Sequence, residues 1–204
     1  LLAHWDATTR EITVNKWQSL IKDVFESAKP RIAEEEVKDR IFSIVIVPIT
    51  GAGYINLYVS DITELKKEEK DLLNGKIIFQ ELFNNIGSCV VIYGEKDEGK
   101  DFVFIDINKS GEQSSKVKRE QIVGKSVLEV FPGVKEMGLF EVLLQVWKTG
   151  EPKHHPLSFY HDERISQWVE NYVFQLPSGE IVVVYEDVTE RKKLEEENMK
   201  RLKE

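Results

Sequence analysis

Apolar residues recur along this chain at two different periods, and the switches between them lay out the elements. From Leu139 the apolar positions Phe140, Leu143, Leu144 and Trp147 fall at helical spacing, and Gly150 with Pro152 supplies the stop. Upstream, residues 89–93 and 102–107 are short apolar runs on either side of a charged, glycine-bearing stretch, which predicts a β-hairpin. Residues 108–123 are polar with little periodicity and predict short helical turns, and Ser126 with Glu129 is a capping-box signature that Pro132-Gly133 closes. Downstream, residues 157–160, 165–176 and 181–185 read as strands separated by His161-Asp162-Glu163 and by Pro177-Ser178-Gly179, both good turn formers. Period-two alternation puts Trp168, Glu170, Tyr172, Phe174 and Leu176 on one face of the middle strand and Val169, Asn171, Val173 and Gln175 on the other. The aromatic face is the one expected to be buried. Two strands, short helices, one longer helix and three strands make an α+β order with an antiparallel sheet.

The pattern repeats. Ser60-Asp61-Ile62-Thr63-Glu64-Leu65-Lys66-Lys67 returns as Glu186-Asp187-Val188-Thr189-Glu190-Arg191-Lys192-Lys193, Gly53-x-Ile55-x-Leu57 as Gly179-x-Ile181-x-Val183, and Val24-Phe25 through Pro30 as Val146-Trp147 through Pro152. The first copy has no counterpart of residues 80–135, so residues 1–62 are expected to form a C-terminal half-module and residues 80–190 a complete one. Each copy ends in a charged run of helix formers opened by Asp-x-x-Glu, in which the Asp caps free amides and the Glu reaches back. Residues 63–79 are then a helical linker, with Gly75 as a break, and residues 191–204 start an outgoing helix.

Composition narrows the class. At 204 residues, 41% hydrophobic and 31% charged, the chain is an ordinary globular protein rather than a disordered or fibrous one. No apolar stretch, the run at residues 44–47 included, comes near the roughly 18 residues that a membrane helix needs. The opening Leu1-Leu2-Ala3-His4-Trp5 carries no secretory signature, and we expect a piece of a larger protein. A single cysteine, Cys89, forms no internal disulfide, which favours a cytoplasmic setting. The net charge of -8 argues against nucleic acid as a partner.

Gly124-Lys125-Ser126 after Ile122-Val123, the ending Thr149-Gly150-Glu151-Pro152, Asp162 to Trp168 leading a strand, Pro177-Ser178-Gly179 and the terminal Asp187-Val188-Thr189-Glu190-Arg191-Lys192 together resemble the PAS family. The resemblance implies a five-stranded antiparallel sheet with short helices on one side, enclosing a core that holds a cofactor or metabolite in some members. It also implies tandem modules ahead of an output domain such as a histidine kinase of a two-component system. Asp187, Thr189, Glu190 and Arg191, with Asp61 and Thr63 in the first copy, become the signal-relay residues, and the family's ending implies an ion pair between Asp187 and Arg191. Leu65 stands where Arg191 stands, so Asp61 lacks that pair.

Candidate chemistry is sparse. Phe104, Phe131, Phe140, Leu144, Tyr160, Trp168, Tyr172 and Phe174, with Phe83, either line a ligand pocket or fill the core, and close packing is the default. Glu170, a carboxylate on the aromatic strand face, is either a polar pocket contact or an exposed or ion-paired side chain. His154-His155 reads as a solvated loop pair, and no third ligand stands at metal spacing. Haem-binding relatives carry an axial histidine on the long helix, and residues 139–147 have none; flavin-binding photosensors carry a helical Asn-Cys-Arg-type cysteine, whereas Cys89 opens a strand. Both absences argue against haem and covalently reactive flavin. Gly51-Ala52-Gly53 is followed by a strand, so it reads as a turn rather than a phosphate cradle. No nucleophile, base and orienting group assemble, and the expectation is a non-catalytic sensor passing a ligand or partner signal to an output domain in the same chain, or else a structural dimerisation module with a filled core. A homodimer is expected in either case.

Overall fold

The computed structural model describes residues 7–49 and 51–201, with side chains from Lys16 onward. The opening Leu1 to Trp5 and residues 202–204 of the expected outgoing helix lie outside them. The chain divides into two compact units between Ile77 and Ile78.

The first unit runs from helix α1 (Ala7–Ser27) into three strands, β1 (Arg31–Val37), β2 (Arg40–Ile49) and β3 (Tyr54–Asp61), paired antiparallel in the order β1-β2-β3. Helix α2 (Thr63–Asn85) leaves this sheet and carries the chain into the second unit. It is continuous through Gly75, so the expected break is absent: a glycine weakens a helix by about 1 kcal/mol, which the flanking helix formers outweigh.

The second unit opens with β4 (Cys89–Lys96) and β5 (Asp101–Ile107), the predicted hairpin. Its turn brings Gly99 against Leu144 and Trp147 at a φ of +81°; a Cβ there would sit 2.7 Å from the Trp147 ring, so only glycine fits. Short helices follow: α3 (Lys109–Ser115), α4 (Arg119–Ile122) and α5 (Val127–Val130), then a 3-10 turn at Pro132–Val134. Ser126 Oγ accepts from the amides of Leu128 and Glu129, the cap read from the sequence. Asn108, fully buried, caps α3 through Gly111 N while its side chain also bonds Val90 N and Ser88 O, tying β5, α3 and β4 together.

Helix α6 (Leu139–Thr149) then leads to β6 (Lys153–His161), β7 (Ser166–Gln175) and β8 (Ile181–Asp187), and α7 (Thr189–Arg201) closes the unit. The sheet is antiparallel in the order β5-β4-β8-β7-β6. The helices between β5 and β6 cover one face of it, and the core fills the space between with Phe102, Phe104, Val127, Leu143, Val146, Val173 and Ile181. Strand β6 begins before the expected residue 157 and takes in His154 and His155. Its ladder shifts register between His155 and Ser158, around Pro156, because proline has no N–H to donate. No helix of the described residues is long and apolar enough to cross a membrane.

The strand β7 corrects the sequence reading. Gln167, Val169, Asn171 and Val173 are the buried positions, while Tyr172 is exposed and Trp168, Glu170 and Phe174 are half-buried on the opposite face. Alternation defines two faces without saying which is inside, and ring size is a poor guide when one face of a sheet is only partly covered.

Candidate functional site

Two features of the second unit carry chemistry: a small internal cavity and the junction where β8 hands over to α7. The cavity, about 50 Å³, lies between the inner face of the sheet and the helical side. Strand β4 contributes Val91 and Tyr93, β7 contributes Gln167, Val169 and Asn171, and β8 contributes Val183 and Tyr185; Phe131, Val134, Met137 and Leu139 face them from the helical side. Ser115 Oγ and Tyr185 Oη satisfy each other at 2.6 Å. Asn171 is only 3% exposed, and its Nδ2 has no hydrogen-bond partner among the described residues. A buried donor left unpaired costs about 1–3 kcal/mol, so this amide stands out among the described buried side chains. Burial raises the pKa of both Tyr93 and Tyr185, so each phenol keeps its proton.

A polar latch lies beside the cavity. Tyr160 Oη donates to Asp162 Oδ2 at 2.8 Å, Asp162 Oδ1 accepts from the amides of Arg164 and Ile165, and Arg164 bonds Val130 O and stacks over the Phe131 ring at 4.8 Å. Burial alone would raise the Asp162 carboxyl; the Ile165 amide, the Tyr160 hydroxyl and the Arg164 amide and guanidinium outweigh it and hold it at about 2. His155 is buried rather than solvated, and its Nε2 lies 3.0 Å from Met137 O. Burial lowers its pKa, which keeps the ring neutral, and His154 points outward to Glu170, 3.1 Å away.

At the junction, Asp187 Oδ1 accepts from Thr189 N at 2.9 Å and from Thr189 Oγ1 at 2.5 Å, while Thr189 Oγ1 accepts from Trp168 N at 2.9 Å. Val188 N bonds Trp168 O at 2.9 Å. The threonine therefore fastens the first turn of α7 to strand β7. The first unit builds the same junction: Asp61 Oδ1 takes Thr63 N at 3.0 Å and Thr63 Oγ1 at 2.5 Å, Thr63 Oγ1 takes Ile41 N at 2.9 Å, and Ile62 N bonds Ile41 O at 2.8 Å.

Residues 83–193, more than half of the chain, match the family model of the PAS fold. The chain belongs to the PAS family. Its coordinates resemble a domain of a sensory box sensor histidine kinase/response regulator from Geobacter sulfurreducens, at 17% identity over 57% of this chain and 96% of that one, with a TM-score of 0.46. They also resemble the PAS domain of nitrogen regulation protein NR(II) from Vibrio parahaemolyticus, at 15% identity over 53% and 95%, TM-score 0.40. An RNA-binding light-oxygen-voltage receptor aligns over 98% of this chain and 89% of its own length at 9% identity, TM-score 0.47. No curated protein matches the sequence.

Within the PAS module, the residues singled out for a pocket scatter. Phe131 and Tyr160 do line the cavity. Phe104 and Phe140 are packed into the core away from its wall, and Leu144 is half-buried beneath Gly99. Trp168, Glu170, Tyr172 and Phe174 sit on the outer face of β7, where Glu170 lies 3.1 Å from His154 Nε2 and not in the cavity wall. The sequence pattern does not single out Asn171: it lies on the face expected to be exposed, and its place in the cavity wall follows only from the burial of that face.

The expected pair between Asp187 and Arg191 is replaced by the Asp187–Thr189 contacts, and Arg191 Nε instead lies 4.0 Å from Glu195 Oε1. Glu64 and Glu190 make no capping hydrogen bond among the described residues; each junction instead has a threonine hydroxyl that donates to the Asp carboxylate. For haem or covalently reactive flavin the expected donors are not in place: α6 has no histidine, and Cys89 is buried in β4, with its thiol raised chiefly by burial. Among the described residues no three His, Cys, Asp or Glu side chains converge to hold a metal ion.

Proposed function

We propose that this chain is a cytoplasmic sensory relay without catalysis of its own. In this reading its PAS module takes a small ligand into the internal cavity and passes the change through α7 to an output domain in the same chain. One observation carries it. Strand β7 bears both Asn171, a residue of the cavity wall, and the backbone amide of Trp168, held by Thr189 at the start of α7. A ligand that engages Asn171 acts on the strand to which the outgoing helix is tied. Residues 1–62 belong to the same design as the C-terminal half of a second PAS-like module, since α1 and β1–β3 follow the order of α6 and β6–β8 and end in the same junction. The exposed apolar side of α2, with Leu65, Leu72, Phe79 and Leu82, fits a homodimer. It also favours the alternative, a structural dimerisation module, but that reading leaves the tie between the cavity strand β7 and α7 without a purpose.

The test is hydrogen exchange at Trp168 and the first turn of α7. It compares protein as purified with protein unfolded, freed of small molecules and refolded. Exchange at these amides should be several-fold faster in the stripped protein, and Thr189→Val should abolish the difference at α7. Identical exchange in the two wild-type preparations would overturn the relay.

A further inference from the structure

Two stretches of chain line both the PAS cavity and an open surface groove of about 810 Å³. Between Val130 and Val134, Phe131 and Val134 line the cavity, while Val130, Pro132 and Gly133 line the groove. In the turn from β6 to β7, Tyr160 and Ile165 line the cavity, and His161, Asp162, Glu163 and Arg164 line the groove. One layer of side chains therefore separates cavity from solvent at this seam, and Phe131 and Tyr160 meet in it edge to face with ring centres 5.9 Å apart. Among the described residues no backbone hydrogen bond joins the two stretches. A second groove, over β7 and β8, shares Asn171 and Tyr185 with the cavity wall, but there a strand ladder intervenes. Passage through a ladder breaks backbone hydrogen bonds, whereas passage through the seam moves side chains.

We propose that this seam is the port of the cavity and that Arg164 is its latch. The guanidinium bonds Val130 O across the seam, lies over the Phe131 ring at 4.8 Å, and pairs with Asp162 Oδ2 of its own turn at 3.0 Å. Asp162 in turn takes the Tyr160 hydroxyl at 2.8 Å, so both rings of the seam are tied to one arginine. With the latch closed the backbones touch: a Cβ at Gly133 would lie 2.9 Å from His161 O. Arg164 is itself exposed, so its charged head stays in water when it swings away and frees the two rings to part. The port rests on the ligand-sensing reading above and gives that cavity its way in.

A gate sets how fast an occupant passes and not how tightly it is held, because its barrier enters arrival and release alike. Xenon, a single apolar atom able to occupy a closed apolar cavity, is the probe. It is titrated into the whole chain while the methyl signals of Val169 and Val183 in the cavity wall are followed by NMR, and exchange spectroscopy gives its residence time. Arg164→Ala should speed exchange at least about tenfold, the effect of one charged hydrogen bond, with the xenon affinity unchanged. Tyr160→Phe keeps the ring in the wall and removes only the bond to Asp162; it should speed exchange about threefold, and it keeps the test standing if Arg164→Ala fails to fold. Arg119→Ala breaks another arginine–aspartate pair of the module, with Asp106, that lines neither space, and should exchange as wild type does. Wild-type rates in both port variants, or equal acceleration in Arg119→Ala, would overturn the port and leave the cavity standing. So would faster release matched by lost affinity, which makes Arg164 a support of the binding wall instead of a latch. No saturable xenon shift in wild-type protein would overturn the cavity reading and the port with it.

Discussion

The Asp187 carboxylate takes two hydrogen bonds from one residue, Thr189, and the same threonine oxygen takes the Trp168 amide from the neighbouring strand. The three groups are not equal in what they hold. Removing the carboxylate loses a cap, a loss of about 0.5–2 kcal/mol. Removing the threonine hydroxyl loses the donor to Asp187 and also leaves the half-buried Trp168 amide without its acceptor, which adds about 1–3 kcal/mol. Arg191 is exposed and, among the described residues, pairs with Glu195 at the edge of contact, so its removal costs about 0–1 kcal/mol. The expected order of destabilisation in urea is therefore Thr189→Val, then Asp187→Ala, then Arg191→Ala with almost none. An Arg191→Ala loss as large as that of Thr189→Val would restore the ion pair that the family's ending implied. The repeated Asp-x-Thr spelling made this junction visible in the sequence, but not its bonding: the serine or threonine two residues after an Asp is common in helix starts, and only the pairing of Thr189 with a strand distant in sequence reveals the second bond.

At the scale of elements, the helix α6, the hairpin β4–β5 and the three-strand meander were all legible, because each is a strong period bounded by glycine, proline or a charged turn. What was not legible depended on neighbours. Strand β6 was shortened because Pro156 and the two histidines suggest a loop, yet a register shift accommodates the proline and the core accepts His155. Strand β7 carries Gln167 and Asn171 on its inner face and its larger rings on the outer one, so polarity and ring size both point to the wrong face. Helix α2 runs unbroken through Gly75, where a local rule predicts a break that the flanking helix formers outweigh. An added Cβ at Gly75 would meet nothing within 4 Å, so Gly75→Ala is free to act through backbone entropy alone. It should stabilise the helix by roughly 0.5–1 kcal/mol and raise helical signal on heating, and a destabilised variant would mean that the glycine touches a partner in solution.

The whole molecule exposes more apolar surface than its completed module requires. In the PAS module, Ile181, Val183 and Tyr185 of β8 face a core closed by β4 and the short helices. In the first unit, the matching positions on β3 include Leu57 at 53% exposure and Val59 at 54%, and β3 has one sheet neighbour where β8 has two, β4 and β7. Helix α2 adds Leu72 at 78%, Phe79 at 52% and Leu82 at 68%, on a helix with no buried residue. Leu65, Leu72 and Phe79 recur one heptad apart, the spacing that brings two helices together along a seam. Monomeric proteins rarely leave contiguous apolar surface of this kind in water. Light scattering at high micromolar concentration should therefore give the mass of two chains. The double variant Leu72→Glu with Phe79→Glu places like charges along the seam and should give one chain, with the melting of the PAS module nearly unchanged because neither residue belongs to its core. A wild-type monomer at that concentration would remove the dimer from the proposed function. A variant that stays dimeric would instead move the interface to the open edge of β3, where Leu57→Lys should then separate the chains by charging a strand that pairs best when apolar.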